Sequence, residues 1–280
     1  MHQSTLRPVS RADMASKGAA RVPVLMYHRV GEAHNAWESR YAIAPRAFAA
    51  HMQALQRKGF RAVTIDAFVT WLEGGSALPE GALLITFDDG FRGVRDHALP
   101  VMERMGWPFT VFLVSDLIGR DDAWTRAQNP AGVTYPLLDA DEILDMQRRG
   151  VGFHSHTRSH ASLPTLDNAA LADQLAGSRV QLGRLLGHEV AYLAYPFGHL
   201  DGRVEAAARA AGYRAAFSTQ SGFNRQDVNR LCIRRIDVYG TDSPAMLLRK
   251  IRLGSNDGGL AHAAAYYAGR LKSRLTGARA

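Results

Sequence analysis

The amino-acid sequence predicts an α/β protein: a single domain built on a parallel sheet of about seven strands, either open or closed into a barrel. Apolar strand-like segments alternate with amphipathic helical segments along the 280 residues, as they do in parallel α/β folds. A glycine repeatedly ends a helical segment just before the next strand. Polar residues suited to chemistry follow these strands, where βα barrels build their active sites.

Each element has a local signal. Residues 45–58 carry apolar side chains at helical spacing. Asp139 and Glu142 match a capping box that opens a second helix, and Ser243 followed by Pro244 opens a late one. The predicted strands, in chain order, are 22–27, 62–65, 82–87, 109–114, 151–153, 191–195, 215–217 and 231–236.

The composition is that of a globular protein, with 46% hydrophobic and 21% charged residues. The single cysteine, Cys232, rules out an internal disulfide. The net charge of +8 lies mainly at the two ends of the chain. We therefore expect a flexible basic N-terminal segment (1–21), a central α/β domain (22–245) and a basic helical C-terminal segment (246–280).

The placement of the charge bears on the partners. Basic residues concentrated at the ends, rather than interleaved with aromatic residues on a folded face, disfavour nucleic acid and favour peripheral contact with an anionic membrane. The predicted helix 260–275 has an apolar face that would pack on the domain or lie on a membrane surface. That face comprises Leu260, Ala264, Tyr267, Leu271 and Leu275.

The beginning of the sequence bears on the compartment. It shows no secretory signal, and no segment is apolar for long enough to span a membrane. We expect a cytoplasmic protein, peripheral at the inner face of the membrane.

Two neighbouring carboxylates, Asp88 and Asp89, end the third predicted strand. Adjacent strand residues point to opposite faces, but Gly90 ends the strand here, and a turn lets both side chains reach one cavity. A helix cap or a solvated turn is the alternative interpretation of an isolated Asp-Asp-Gly. A glycosidase is disfavoured, because its two carboxyl groups flank the scissile bond and usually come from different strands.

Histidines follow the fifth predicted strand, 151–153. His156 and His160 are four residues apart, a spacing that places two imidazoles on one face of a helical turn. One Asp and two His ligands leave a coordination position open, as a catalytic metal site requires. His154 would share a strand face with His156, which makes it a candidate to support a metal ligand or to contact the substrate.

Three motifs in this order carry a family resemblance: Thr-Phe-Asp-Asp-Gly at 86–90, His-Thr-x-x-His at 156–160 and Tyr-Pro-Phe-Gly at 195–198. From about residue 22 to 239 the sequence resembles the polysaccharide deacetylase family (carbohydrate esterase family 4). Its opening, Pro-Val-Leu-Met-Tyr-His at 23–28, is similar to the poly-N-acetylglucosamine deacetylase-like branch. The resemblance implies a distorted (β/α) barrel and metal-dependent removal of N-acetyl groups from sugars.

The resemblance also implies roles for individual residues. Asp89, His156 and His160 would hold a divalent metal, with zinc the first expectation and cobalt or iron as alternatives. Asp88 would act as the general base. A turn would bind the substrate and supply a backbone N–H for the oxyanion. That turn consists of Tyr195, Pro196, Phe197 and Gly198.

The sequence departs from the family at two places. Ala194 stands where many members have Arg, and no late Leu-x-His supplies a general acid. His28, at the end of the first strand, is therefore our candidate acid, with a buried core histidine as the alternative. Arg235 and Asp237 match a further family motif weakly, and we expect Asp237 to orient a histidine or to pair with Arg235.

The sequence thus predicts a metal-dependent N-deacetylase of an N-acetylated sugar in surface-glycan biosynthesis, acting on a polysaccharide, an oligosaccharide or a lipid-linked glycan. An O-acetyl esterase or a non-sugar amidohydrolase with the same metal site is the alternative within the enzyme class. A catalytically inactive carbohydrate-binding relative is the alternative outside it.

Overall fold

A parallel sheet forms the centre of the fold. The computed structural model describes residues 21–276, with side chains through residue 268. Seven strands of the sheet curl through 245° into a half-barrel, which confirms the predicted α/β class and strand number. The strands are β1 (Val24–Tyr27), β2 (Arg29–Val30), β3 (Ala42–Ile43), β4 (Arg61–Ala62), β5 (Ala82–Phe87), β6 (Thr110–Leu113), β7 (Gly152–Ser155), β8 (Tyr192–Ala194), β9 (Ala215–Phe217) and β10 (Ile236–Asp237).

The strand order of the half-barrel is β10-β1-β5-β6-β7-β8-β9, and all of these pairs are parallel. β4 adds to β5 outside this path, and β2 pairs with β3 separately. Ile233, just before β10, bridges to Phe217 in β9, while Ile236 pairs with Leu25 in β1. The segment leading into β10 therefore connects the two edges of the sheet.

Most of the helices cover the outside of the sheet. The predicted capping box is confirmed: the N–H of Glu142 donates to the Asp139 carboxylate, and the Glu142 carboxylate accepts from the N–H of Asp139. The predicted Ser243 cap is also present. The helices are α1 (Pro45–Arg57), α2 (Ile65–Leu72), α3 (Leu99–Met105), α4 (Ala140–Arg148), α5 (Asn168–Ala172), α6 (Ser178–Leu186), α7 (Gly202–Ala210), α8 (Pro244–Leu253) and α9 (Leu260–Thr276).

Alternate residues of each strand pack into two apolar clusters. In β5, Leu83 and Ile85 face the outer helices, whereas Leu84 faces the inside of the half-barrel. The inner cluster also contains Phe112 of β6 and Phe68 of α2. Because β5 has a period of two, the next inner positions after Leu84 are 86 and 88, so the alternation aims the side chain of residue 88 into the mouth of the half-barrel.

Two predicted strands have at most half of their expected length in the structure. The expected strand 62–65 pairs only at Arg61–Ala62, because Thr64 caps α2 by accepting a hydrogen bond from the N–H of Ala67. The expected strand 231–236 is reduced to β10, and its first half runs as irregular chain between the sheet edges.

The predicted C-terminal helix is present as α9, next to α8. Leu260, Ala264 and Tyr267 of its predicted apolar face are exposed, whereas Ala263 is buried. The side chains of residues 271 and 275 lie outside the described part, as do residues 1–20 of the expected N-terminal segment. None of the described helices is long and apolar enough to cross a membrane, and the described residues give no support to the expected membrane contact.

The capping box allows a direct test of the fold. Replacing Asp139 by Ala removes the acceptor for the N–H of Glu142, so we expect the free energy of unfolding to fall by about 1 kcal/mol. Asp141→Ala, in the first turn of α4 but without a capping role, is the matched control and should cost less than about 0.5 kcal/mol. Urea denaturation measures both variants. Equal losses would show that the cap contributes nothing of its own.

Candidate active site

A cavity opens at the carboxyl ends of the strands, as predicted. Eight of the side chains expected to form the site line it: His28, Asp88, Asp89, His156, His160, Tyr195, Phe197 and Asp237. Most of the acidic and imidazole groups among them are buried, with Asp88, Asp89, His156 and His160 each less than one tenth exposed. Buried charges require partners, and the contacts around each group identify those partners.

Asp89, His156 and His160 form one cluster. The Oδ1 atom of Asp89 lies 3.4 Å from Nε2 of His156 and 3.3 Å from Nε2 of His160, and one ligand atom from each residue lies within 4.8 Å of the others. Oδ1 is buried and makes no hydrogen bond. A buried carboxylate oxygen that faces two imidazole nitrogens without bonding to either fits a divalent cation, and the donor set of one oxygen and two nitrogens suits zinc.

The backbone brings these groups together through unusual conformations. Among the described non-glycine residues, positive φ occurs at Asp89 (73°), Thr157 (67°), His160 (60°) and Phe197 (59°), and all four belong to the three sequence motifs. Such conformations cost free energy and concentrate at functional sites. At Asp89 the left-handed conformation turns the chain sharply, so that both neighbouring carboxylates enter the same cavity.

The spacing of His156 and His160 suggested a helical turn, but the two residues do not lie on one. They flank an irregular loop that follows β7. Nδ1 of His156 donates to the carbonyl of Ala194 at 2.8 Å, which leaves its Nε2 available as an acceptor facing Asp89. The ring of His160 stacks on Trp124, with centroids 4.5 Å apart, and meets Phe197 edge-on at 4.6 Å.

Asp88 is held by a completely buried arginine. Nη1 and Nη2 of Arg235 donate to the two carboxylate oxygens of Asp88 at 2.7 and 2.8 Å, and Nε donates to the carbonyl of Ser218 at 2.9 Å. The expected pairing of Arg235 with Asp237 is therefore wrong: the inner position of Arg235 places its planar guanidinium against Asp88, where two parallel bonds form.

The electrostatics keep both carboxylates ionised. Burial pushes the pKa of Asp88 upward, but Arg235 and His156 outweigh it and hold that pKa below its usual value. Burial likewise acts to raise the pKa of Asp89, and the imidazoles of His156 and His160 bring it far below the usual range. Two adjacent anions thus persist in the mouth of the half-barrel because each has its own cationic or imidazole partner.

The Tyr-Pro-Phe-Gly turn lies beside the cluster. Phe197 is 41% exposed and covers His160. At Gly198, φ is 70° and an added Cβ would lie 2.0 Å from Oγ1 of Thr219, so this position accepts only glycine. Tyr195 is fully buried and donates its hydroxyl to the carbonyl of Leu231 at 3.0 Å.

His28 and Asp237 line the wall formed by β1 and β10. The ring of His28 meets that of Tyr41 edge-on at 5.5 Å. Burial raises the pKa of Asp237, and His28 is the strongest influence in the opposite direction. His28 therefore favours the ionised form of Asp237.

His154 lies deeper than the cavity. It points to the same inner side as His156, as the strand period predicts, with its ring 4.6 Å from Tyr192 and 6.5 Å from Phe112. Burial lowers its pKa to about 3, so the imidazole is neutral. His154 is not among the described residues that line this cavity.

Sequence reasoning missed the outer wall of the cavity. Loops 31–41 and 115–138 supply Trp37, Trp124 and Tyr135 to it. Buried Glu38 joins the two loops, and four groups donate to its carboxylate at 2.9–3.1 Å. These are Arg29 Nη2, the N–H of His34, Asn129 Nδ2 and the hydroxyl of Tyr135. The one signal in the sequence was length, because 115–138 exceeds an ordinary connection and long ordered loops are usually functional.

The same wall carries a buried carboxyl that no motif indicated. Asp122 accepts hydrogen bonds from the N–H of Tyr135 and from Oγ1 of Thr125. Burial raises its pKa to about 6 despite these bonds, with Asp89 adding to the effect. This carboxyl is therefore about half protonated near pH 6, where an ordinary aspartate is fully ionised.

Comparison with known proteins identifies relatives of this chain. The poly-beta-1,6-N-acetyl-D-glucosamine N-deacetylase of Staphylococcus epidermidis is 25% identical over 207 residues, covering 71% of this chain and 68% of its own. The structure of IcaB from Ammonifex degensii is 27% identical, with a TM-score of 0.65, and the match covers 79% of this chain and 92% of that one.

A further structure shows the same fold at lower identity. The Streptococcus pyogenes deacetylase in complex with acetate has a TM-score of 0.69 at 19% identity, over 82% of this chain and 97% of that chain. The polysaccharide deacetylase family itself matches residues 75–216, half of the sequence, including all three motifs. The chain belongs to the polysaccharide deacetylase family.

Proposed function

We propose that this protein is a metal-dependent hydrolase that removes N-acetyl groups from an N-acetylated sugar. The observation that carries the proposal is the Asp89–His156–His160 cluster, whose unbonded carboxylate oxygen faces two imidazoles beside a second, separately held carboxylate. A divalent cation held by these three residues would supply Lewis-acid activation of a water molecule and of the acetyl carbonyl.

Asp88 is the proposed general base. Its bonds to Arg235 occupy one lone pair on each carboxylate oxygen, and each oxygen retains another to accept a proton. Oδ2 lies 4.0 Å from Nε2 of His156, so the base borders the proposed metal position. Arg235 keeps Asp88 ionised and fixes its orientation, which is what a general base needs before the substrate arrives.

His28 is the proposed general acid. It follows β1 as Asp88 follows the neighbouring strand β5, where Tyr27 pairs with Phe87. His28 would give a proton to the nitrogen of the leaving amine, and Asp237 lines the same cavity. The backbone N–H of Phe197 is the proposed donor to the oxyanion. Aromatic rings around the opening, including Trp37 and Tyr135, suit the apolar faces of a sugar ring.

The Staphylococcus epidermidis relative supports β-1,6-linked N-acetylglucosamine as the first substrate to test. Zinc is our proposed metal, with cobalt or iron as alternatives. A role in surface-glycan biosynthesis, the choice between polymer and lipid-linked substrate, and a cytoplasmic location stay predictions.

The reaction is tested by acetate release. Wild-type protein should release acetate from N-acetylglucosamine oligomers, and Asp88→Asn, which keeps the shape but removes the base, should lower kcat by about 10²–10⁴-fold with the metal content unchanged. Asp121→Asn, an exposed neighbour of the cavity wall, is the control and should match wild type. Release from an acetyl ester alone would assign an O-acetyl esterase, and release from neither probe would contradict the proposed activity.

The metal cluster is tested by counting the bound ion. After chelation, acetate release should fall to background and return with zinc or cobalt. We expect about one ion per chain, as in three-ligand catalytic sites, and His160→Ala should lose it. His188→Ala removes an exposed histidine and should bind metal like wild type. Full metal binding by His160→Ala would remove this residue from the site.

The Arg235–Asp88 pair is tested by stability and activity together. Arg235→Met leaves a buried carboxylate without its partner, so we expect the free energy of unfolding to fall by about 3–5 kcal/mol and acetate release to be lost. Arg235→Lys keeps the charge but loses the two parallel bonds, and should have an intermediate effect. Urea denaturation and initial rates measure both. An Arg235→Met variant as stable as wild type would show that the pair is dispensable.

A further inference from the structure

The C-terminal segment, which the sequence places outside the central domain, contacts the cavity wall through Asp237. The N–H of Asp237 donates to Oδ1 of Asn256 at 2.8 Å, and Nδ2 of Asn256 donates to Oδ2 of Asp237 at 3.3 Å. Nζ of Lys250 donates to the carbonyl of Asp237 at 3.0 Å. The backbone donor, the backbone acceptor and the carboxylate of this one residue are therefore all bound by residues from α8 and the turn after it.

Lys250 is itself built into the protein interior. It is 1% exposed, and its ammonium lies 2.6 Å from Oδ2 of Asp242 and 4.0 Å from the ring centroid of Tyr239. A buried ammonium is costly unless it is paired and hydrogen-bonded. Here the pairing fixes the chain from Asp237 to Asp242, which includes Tyr239, a second residue of the cavity wall.

A second layer supports this arrangement from α1. Nε2 of His51 donates to the carbonyl of Asp242 at 2.7 Å, and Nδ1 of His51 accepts from the hydroxyl of Tyr27, 3.3 Å away. All three residues are buried. The segment after β10 is thus held from the outer core, and Asp237 lines the cavity together with His28.

We propose that Asn256, with support from Lys250, is a positioning residue for the reaction: it fixes the carboxylate of Asp237 in the cavity wall that Asp237 shares with His28. Neither Asn256 nor Lys250 lines the cavity in the described part of the chain, so neither touches the substrate, and each acts through Asp237. The inference rests on the proposed function. It assigns a catalytic contribution to residues beyond the 75–216 region that the family matches.

A double-mutant cycle in the full-length protein tests the coupling. Asn256→Ala should lower kcat for N-acetylglucosamine oligomers by about tenfold, equivalent to about 1.4 kcal/mol, with KM and bound metal unchanged. In an Asp237→Ala background the same substitution should change kcat by less than about twofold, because residues that act as a unit are not additive. Ser255→Ala, in the same turn but without a contact to Asp237, is the control and should match wild type.

Additive losses would overturn the inference, since a merely structural role for Asn256 does not depend on Asp237. If Asn256→Ala does not fold, Asn256→Asp replaces it. That variant keeps the acceptor for the Asp237 N–H but sets a second carboxylate against the first, so kcat should fall by about tenfold or more while the fold is retained. An Asn256→Asp variant with wild-type kcat would overturn the inference.

A crystal structure of the Asn256 variant gives a readout that is independent of activity. We expect the Asp237 carboxylate to move away from its present position in the cavity wall, and an unmoved carboxylate would overturn the inference. Wild-type protein without any acetate release would instead reject the proposed function, so the two failures are distinguishable.

Discussion

The bidentate pair between Arg235 and Asp88 is the interaction on which the site depends. It joins the end of β5 to the segment before β10, so the first third of the chain and the last described strand meet inside the half-barrel. Without the guanidinium, Asp88 would have to take up a proton or draw in water. With the guanidinium in place, Asp88 stays ionised, and the neighbouring Asp89 faces the imidazoles of His156 and His160.

Backbone strain is the second constraint. A parallel strand sends successive side chains to opposite faces, which is incompatible with two adjacent aspartates in one cavity. The left-handed conformation of Asp89 resolves this conflict, and those of Thr157, His160 and Phe197 shape the other two motifs. The packing of the surrounding strands and helices holds these residues in conformations that isolated chain would avoid.

The sequence predicted the features that depend on local pattern. The sheet and the capping box at Asp139 followed from periodicity and spacing, and the grouping of Asp89, His156 and His160 followed from the family resemblance of the three motifs. The helical turn expected for the two histidines was wrong, because four-residue spacing also fits a strained loop. The pairing of Arg235 could not be read from the sequence, since it depends on which strands the chain brings together across 147 positions. The outer wall was missed for the same reason: its contacts link loops about a hundred residues apart.

Glu38 gives that outer wall a thermodynamic property. One buried carboxylate accepts hydrogen bonds from both loops, and Cζ of Arg29 lies 3.6 Å from the ring centroid of Tyr135. Because of these shared contacts, neither loop can loosen without leaving polar groups of the other loop unpaired. Their conformational entropy is lost when the protein folds, before any sugar arrives. A ligand entering this cavity therefore meets a surface that is already ordered, and more of its contact free energy remains as affinity.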